Sequence, residues 1–167
     1  LPWTIALQVP SILVGWIVGN LLGAVAAYKK GKFDSIIFPL SLFINCIPYY
    51  CLAIILLYLL GVVLNVFPIG GGYSMGLMPS FSIAFFVDAL RHYFLPFLSI
   101  VLVTIGGQAI GMREMSIYEL NTDYVNYSKS LGISEGKIVR YVFKNAMLPQ
   151  ISGLAISLGT MVGGALI

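Results

Sequence analysis

The fifteen charged side chains of this 167-residue sequence are so unevenly spread that none falls in residues 1–28, 35–87, 92–112 or 145–167. A helix that crosses a bilayer needs about 20 mostly apolar residues, and every one of these gaps is that long or longer. Residues 4–28, 36–60, 93–112 and 148–167 are therefore read as four crossings. Strands of a membrane barrel would alternate apolar and polar side chains over about ten residues, whereas these runs are continuous. A mean hydropathy of +0.98 with 9% charged residues excludes a water-soluble domain, in which about a quarter of the residues carry charge. The expected fold class is all-α: a polytopic membrane helical bundle, one transmembrane domain over 1–167. The chain begins at Leu1 and stops at Ile167 inside an apolar run, and is expected to be a piece of a longer protein.

Loops on the cytoplasmic side are enriched in Lys and Arg. Lys29, Lys30 and Lys32 lie after the first crossing, and Arg113, Lys129, Lys137, Arg140 and Lys144 after the third, which is eight of the nine cations. Four crossings put both segments on one side. Residues 29–35 and 113–147 are thus expected to be cytoplasmic, the N-terminus external, and 61–92 an external loop. That loop is apolar and broken by Pro68, Gly70 to Gly72, Gly76 and Pro79, and a short interfacial or re-entrant helix is expected near Phe81 to Leu90. Asp88 and Arg91 are spaced to pair on one face of it.

Inside the runs, Gly15, Gly19, Gly23 and Ala27 recur every fourth residue and make a smooth stripe for close helix packing. Gly107 with Gly111, and Gly159 with Gly163, repeat the spacing. Pro39 and Pro48 each remove a backbone donor and are candidates for kinks in the second run. Cys46 and Cys51 are read as packing residues rather than a disulfide or metal pair.

The four runs contain no Asp, Glu, Lys, Arg or His, the residues on which proton-driven carriers depend. Asn20, Asn45 and Gln108 are the candidate path-lining groups, with Gln8, Thr104 and scattered hydroxyls as further polar contacts. The chain's one His, His92, lies at the outer boundary of the third run, and with no paired carboxylates in the runs no catalytic or metal site is expected. The phosphate-cradling G-x-x-x-x-G-K-[ST] pattern is absent, because Gly132 and Gly136 precede Lys137 at the wrong spacing. No enzyme activity, cofactor or nucleic-acid partner is expected. Energy for uphill transport would have to come from another chain.

Residues 113–147 divide at Gly132 into two helical patterns. Thr122 is a fitting N-cap for a helix from Asp123 to Leu131 that carries Tyr124, Tyr127, Ser128 and Leu131 on one face, with Gly132 at its left-handed C-terminal position. Ser134 and Glu135 open a second, amphipathic helix with Ile138, Val142 and Ala146 in one apolar row and Lys137, Arg140 and Lys144 opposite. Pro149 suits the first turn of the fourth crossing. A helix as short as the first is marginal alone in water, so its aromatic face is expected to dock on something.

The run Asp123-Tyr-Val-Asn-Tyr-Ser-Lys-Ser-Leu-Gly-Ile-Ser-Glu135, followed by Arg140-Tyr-Val-Phe-Lys-Asn-Ala-Met-Leu-Pro149, resembles the cytoplasmic signature of binding-protein-dependent ABC transporter permeases, and most closely the B-type subunit of the dipeptide/oligopeptide branch. Leu158 to Leu166 and, more weakly, Phe67 to Gly71 extend the similarity. The resemblance implies a cytoplasmic coupling helix seated in a cleft of a separate ATPase subunit, formed by Asp123, Tyr124, Val125, Tyr127, Ser128 and Leu131, ended by Gly132 and followed by Ser134 and Glu135. Asn145, Leu148 and Pro149 would make the return to the membrane. Where the general importer signature has Glu-Ala-Ala, this sequence has Asn126, Tyr127 and Ser128. The implied partners are cytoplasmic ABC ATPase subunits, a second permease subunit, an extracellular or periplasmic solute-binding protein and the lipid bilayer of a prokaryotic cell. The implied cargo is peptides or related small solutes, with dipeptides, oligopeptides, nickel chelates and oligosaccharides all open.

Two other readings fit the composition alone. One is an ATP-independent channel or facilitator, in which 113–147 is only an interfacial helix pair. The other is a non-transporting membrane scaffold that uses the glycine stripe and the short helix after Thr122 to assemble partners.

Overall fold

The structure, a computed structural model, describes residues 2–29 and 31–164, with side-chain surroundings given through residue 160. Among these residues the chain forms α1 (Pro2–Lys29), α2 (Lys32–Cys46), α3 (Tyr49–Leu56) running into a π-helical stretch Leu57–Val63, then α4 (Ile83–Leu120), α5 (Asp123–Ser130) and α6 (Glu135–Gly164), with no strand.

The spine is the pair α1 and α4, held together where α1 has no side chains. A Cβ at Gly15 would lie 2.5 Å from Thr104 Cβ, and one at Gly19 would lie 2.6 Å from Gln108 Cβ and 2.8 Å from the Ile105 carbonyl oxygen, while one at Gly23 would overlap the Ala109 carbonyl. The glycine stripe therefore is a backbone-to-backbone seam, and Ala26 and Ala27 continue it, fully buried. Contacts advance together along both chains, from Tyr93 Oη donating to the Ala6 carbonyl to Asn20 Nδ2 donating to Gln108 Oε1, so α1 and α4 run parallel.

Parallel neighbours require the intervening chain to cross back, and α2 and α3 do so as a bent pair. The run read as one crossing over 36–60 is two helices at 96°. The bend lies at Pro48, whose ring disfavours a helical residue before it: Ile47 is extended at φ −86°, ψ 120°, and α3 restarts after the proline. Pro39 lies inside α2 and does not end it. Gly106 of α4 meets the turn of α2 at Ser41 and Asn45, the same kind of seam as in α1. Gly159, by contrast, faces open space. Cys46 and Cys51 are free thiols, and Cys46 is exposed rather than packed.

Helix α4 is longer than its apolar run. Thirty-eight residues at about 1.5 Å each make about 57 Å, nearly twice the hydrocarbon thickness of about 30 Å. The short separate helix expected near Phe81 to Leu90 is the start of α4 itself: Ser82 caps it by accepting from the Phe85 N–H, and nothing between Ile83 and Leu95 interrupts it. Asp88 and Arg91 do not pair. Asp88 accepts from the Ser74 N–H at 2.6 Å and its hydroxyl at 2.7 Å, and Arg91 donates to the Val66 carbonyl. Both residues thereby fasten the 64–82 segment over the start of α4, with Phe67 stacked on Phe94 at 4.9 Å.

Helix α6 runs antiparallel to α1. Tyr28 at the end of α1 donates to Glu135 at the start of α6, and the Trp16 indole donates to the Gln150 carbonyl at 3.0 Å. Pro149 opens no helix, because it sits in the interior of α6, with fourteen helical residues before it. It costs the ladder one donor, and the buried row Ile138, Val142 and Ala146 holds the first half of the helix in line with the second. Two helices, Pro2–Lys29 and Ile83–Leu120, are long and apolar enough to cross a membrane, and the bent pair, counted as one span, makes a third. The fourth run, 148–167, is helical through Gly164, and its last three residues lie outside the described residues.

Candidate functional site

The turn from α4 to α6 projects from one end of the bundle and carries the short helix α5. At its head, Asn121 and Thr122 bend back on α4: the Thr122 hydroxyl donates to the Glu119 carbonyl at 2.6 Å instead of capping α5. At its tail the chain closes a two-bond C-terminal motif, with Gly132 N–H donating to the Lys129 carbonyl and Ile133 N–H to the Ser128 carbonyl. That motif needs a left-handed residue, and Gly132 supplies it at φ +72°.

The side of α5 facing its own chain differs from the one expected. Val125 is fully buried and forms an apolar cluster with Ile138 and Val142, onto which Leu120, Tyr124 and Ile133 pack. The Tyr124 hydroxyl donates to Glu119 Oε2 at 2.8 Å. Burial, and then the Glu119 carboxylate, push the Tyr124 phenol above its ordinary range, and the nearby Asn145 side chain offsets part of that rise. Val125 and Tyr124 thus lie on the side of α5 that packs against its own chain. Tyr127 and Leu131 point away, 67% and 60% exposed, with Asp123, Gly132, Ser134 and Glu135 also exposed and Ser128 between the two sides. The four residues predicted to share a face split because α6 lies against one edge of it.

Asn145, Leu148 and Pro149 fall on the third and fourth turns of α6, all exposed. They belong to the one helix that runs from Glu135 into the fourth apolar run.

One ion pair that no local pattern announces braces the same end of the bundle. Arg113 of α4 grips Asp34 of α2 with two parallel bonds of 2.5 and 2.6 Å, and its guanidinium lies 4.3 Å from the centre of the Phe38 ring. The guanidinium holds the Asp34 carboxyl below the usual carboxylate range. Asp34 is 79 positions away in sequence, and neither residue stands out except as a charge flanking an apolar run.

Of the three candidate path-lining amides, Asn20 is enclosed between α1 and α4, 1% exposed, donating to the Trp16 carbonyl and to Gln108. It is a helix-pairing group. Asn45 is exposed beside Gly107, and Gln108 is half-buried. A separate cleft of about 400 Å³ gathers Gln8, Tyr49, Thr104, Ser157 and Thr160 from α1, α3, α4 and α6. Gln8 and Thr104 stood among the polar groups legible in the runs. Ser157 and Thr160 are found only because α6 carries them to the same height. The Thr104 and Ser157 hydroxyls are already bonded to carbonyls of their own helices, so the cleft is polar yet uncharged.

A family model described as "binding-protein-dependent transport system inner membrane component" matches residues 19–167. Among curated relatives, the chain is 27% identical over 165 residues to the metal-staphylopine import system permease protein CntB of Staphylococcus aureus, covering 98% of this chain and 48% of that one. It is 29% identical over 183 residues to the di/tripeptide transport system permease protein DppB of Pseudomonas aeruginosa, at 99% and 54% coverage. With the dipeptide transport system permease protein DppB of Lactococcus lactis it shares 26% over 172 residues, at 100% and 51%. The chain spans about half the length of the curated relatives it matches.

Proposed function

The chain belongs to the family of binding-protein-dependent transport system inner membrane components, and from that premise we propose that it is the translocating subunit of an ATP-driven importer that takes its energy from a separate ATPase through α5. The observation that carries this reading is the division of labour on α5. Val125 fixes the helix to α6 while Tyr127 and Leu131 face outward, although an aromatic and a leucine lose stability by standing in water. A rigidly footed helix with an apolar outer face suits a cleft in a partner.

The end of the bundle that bears Lys29, Lys32, Arg113 and α5 faces the cytoplasm in this reading, following the charge bias. The 61–92 segment then meets a soluble solute-binding protein, and a second permease subunit completes the path. The uncharged cleft with Gln8, Thr104 and Tyr49, and the Asn45 and Gln108 amides near it, are the proposed lining. Groups of this kind hydrogen-bond a polar solute without holding it by charge. The named relatives belong to di/tripeptide transport and metal-staphylopine import systems, and peptides or related small solutes are the proposed cargo.

The test is association of the full-length permease with its ATPase in a pull-down from membranes. Tyr127→Asp with Leu131→Asp is expected to weaken binding by about 3 kcal/mol, or over a hundredfold, as for two central contacts of an interface. Membrane insertion should be unaffected. Undiminished association, or uptake by the permease without any ATPase, sinks the reading and favours a facilitator.

A further inference from the structure

The end of the bundle next to α5 contains a groove that the coupling reading does not use. Three helices line it with side chains in register: Leu21, Val25 and Lys29 at every fourth residue of α1, Ser116 and Leu120 one turn apart on α4, and Val139, Arg140 and Phe143 on α6. Its volume is about 390 Å³. The walls are apolar, and the two cations stand toward the mouth, where α1 ends and α6 begins. Glu135, at the same mouth, is engaged by the Tyr28 hydroxyl. Neither Lys29 nor Arg140 makes an ion pair among the described residues.

A second observation concerns the same groove. Ser116, which lines the groove, is 3% exposed, and its hydroxyl has no hydrogen-bond partner among the described residues. An orphaned hydroxyl in an apolar surround is destabilising, unless something in the groove bonds to it. What would satisfy all three features is a molecule with an anionic head, a polar linkage one or two helical turns deeper and an apolar tail. Basic pockets between membrane helices at the cytoplasmic surface suit anionic lipid headgroups for this reason.

We propose that this groove is a binding site for one anionic phospholipid, its phosphate held by Lys29 and Arg140, its ester region at Ser116 and an acyl chain along Leu21, Val25 and Phe143. The site is independent of which solute the protein carries and of how it is energised. A lipid there would join α1, α4 and α6 at the level where α5 is mounted. Zwitterionic lipid has the same tail but no net negative charge, and discriminates poorly at a mouth with two cations.

The experiment uses the full-length permease in its assembled complex, in nanodiscs of phosphatidylglycerol and phosphatidylcholine in equal amounts, with retained lipid counted by native mass spectrometry after mild release. Wild type is expected to keep phosphatidylglycerol in preference. Lys29→Gln and Arg140→Gln should each lower that preference about fivefold, and together about thirtyfold. Gly136→Leu fills the groove from a position where an added Cβ meets no protein atom, and should remove retained lipid of both kinds with the cations intact. Lys32→Gln with Lys144→Gln removes two cations outside the groove and should change little. The proposal is overturned if wild type shows no preference, if Gly136→Leu retains lipid as before, or if the Lys32 and Lys144 pair matters as much as Lys29 and Arg140. The last outcome would mean attraction to the whole basic surface, and the first two that another part of the assembly fills the groove.

Discussion

At the scale of single residues, the Asp34–Arg113 pair shows how a charge beside an apolar run is stabilised. Both side chains are about one-fifth exposed, so water screens them only in part, and the guanidinium satisfies the carboxylate through two bonds while its face covers Phe38. Lysine in place of Arg113 keeps the charge but loses the planar fork and the stacking. Arg113→Lys is therefore expected to lower thermal stability of the detergent-solubilised permease, and Asp34→Asn to do so by about 1–2 kcal/mol, with a smaller penalty for the double change than for the sum of the singles. The pH dependence has a definite sign. Because the folded carboxyl lies below its ordinary value of about 3.9, the pair's contribution is complete above that pH and is lost only as pH falls through the lower folded value. Additive losses in the double-mutant cycle, or a wild-type advantage over Asp34→Asn that fades already near pH 6, would refute the pairing.

At the scale of elements, α5 owes its existence to its footing, since eight residues do not hold a helix in water. Val125→Ala removes two buried methyl groups from the cluster with Ile138 and Val142 and is expected to speed hydrogen exchange of the 123–131 amides about thirtyfold, the effect of about 2 kcal/mol. Tyr127→Ala, on the exposed side, should leave exchange unchanged, and equal effects from the two would contradict the assigned faces. The row Ile138, Val142 and Ala146 was legible from its 3.6-residue period, and so was the left-handed Gly132. The inward phase of α5 was not, because the spacing of Tyr124, Tyr127, Ser128 and Leu131 marks a larger aromatic and aliphatic face than the single Val125 that α6 covers. Helix ends were hidden for another reason. Charge marks where lipid stops, so it bounded the apolar part of α4 near 93–112 but could not announce that the helix runs on past Asp88 and Arg113 at both ends. Pro48 and Pro39 look alike in sequence, yet only Pro48 coincides with the point where α2 must turn toward α3.

At the scale of the whole molecule, if α5 couples to an ATPase as proposed, the parallel α1 and α4 with antiparallel α2 and α6 give a force applied there only a few routes into the bundle. Helix α5 is fixed to α6, and α6 meets α1 at two heights, Tyr28 with Glu135 near the mouth and Trp16 with Gln150 deeper in. Helix α1 in turn cannot slide freely on α4, because the glycine seam leaves no slack between their backbones. A tilt of α6 therefore carries α1 and α4 with it, and these three helices are the ones that, with α3, frame the cleft around Gln8 and Thr104. Under the proposed function, Trp16→Phe keeps an aromatic ring at the deeper contact and removes its only donor. The lost bond, worth about 1 kcal/mol, should lower solute taken up per ATP hydrolysed by about fivefold while the ATPase stays associated. Both quantities would be followed in the same proteoliposomes. An unchanged ratio in Trp16→Phe combined with Tyr28→Phe would show that force enters through α4 directly, along the Leu120 to Asp123 turn, and not through the α6–α1 contacts.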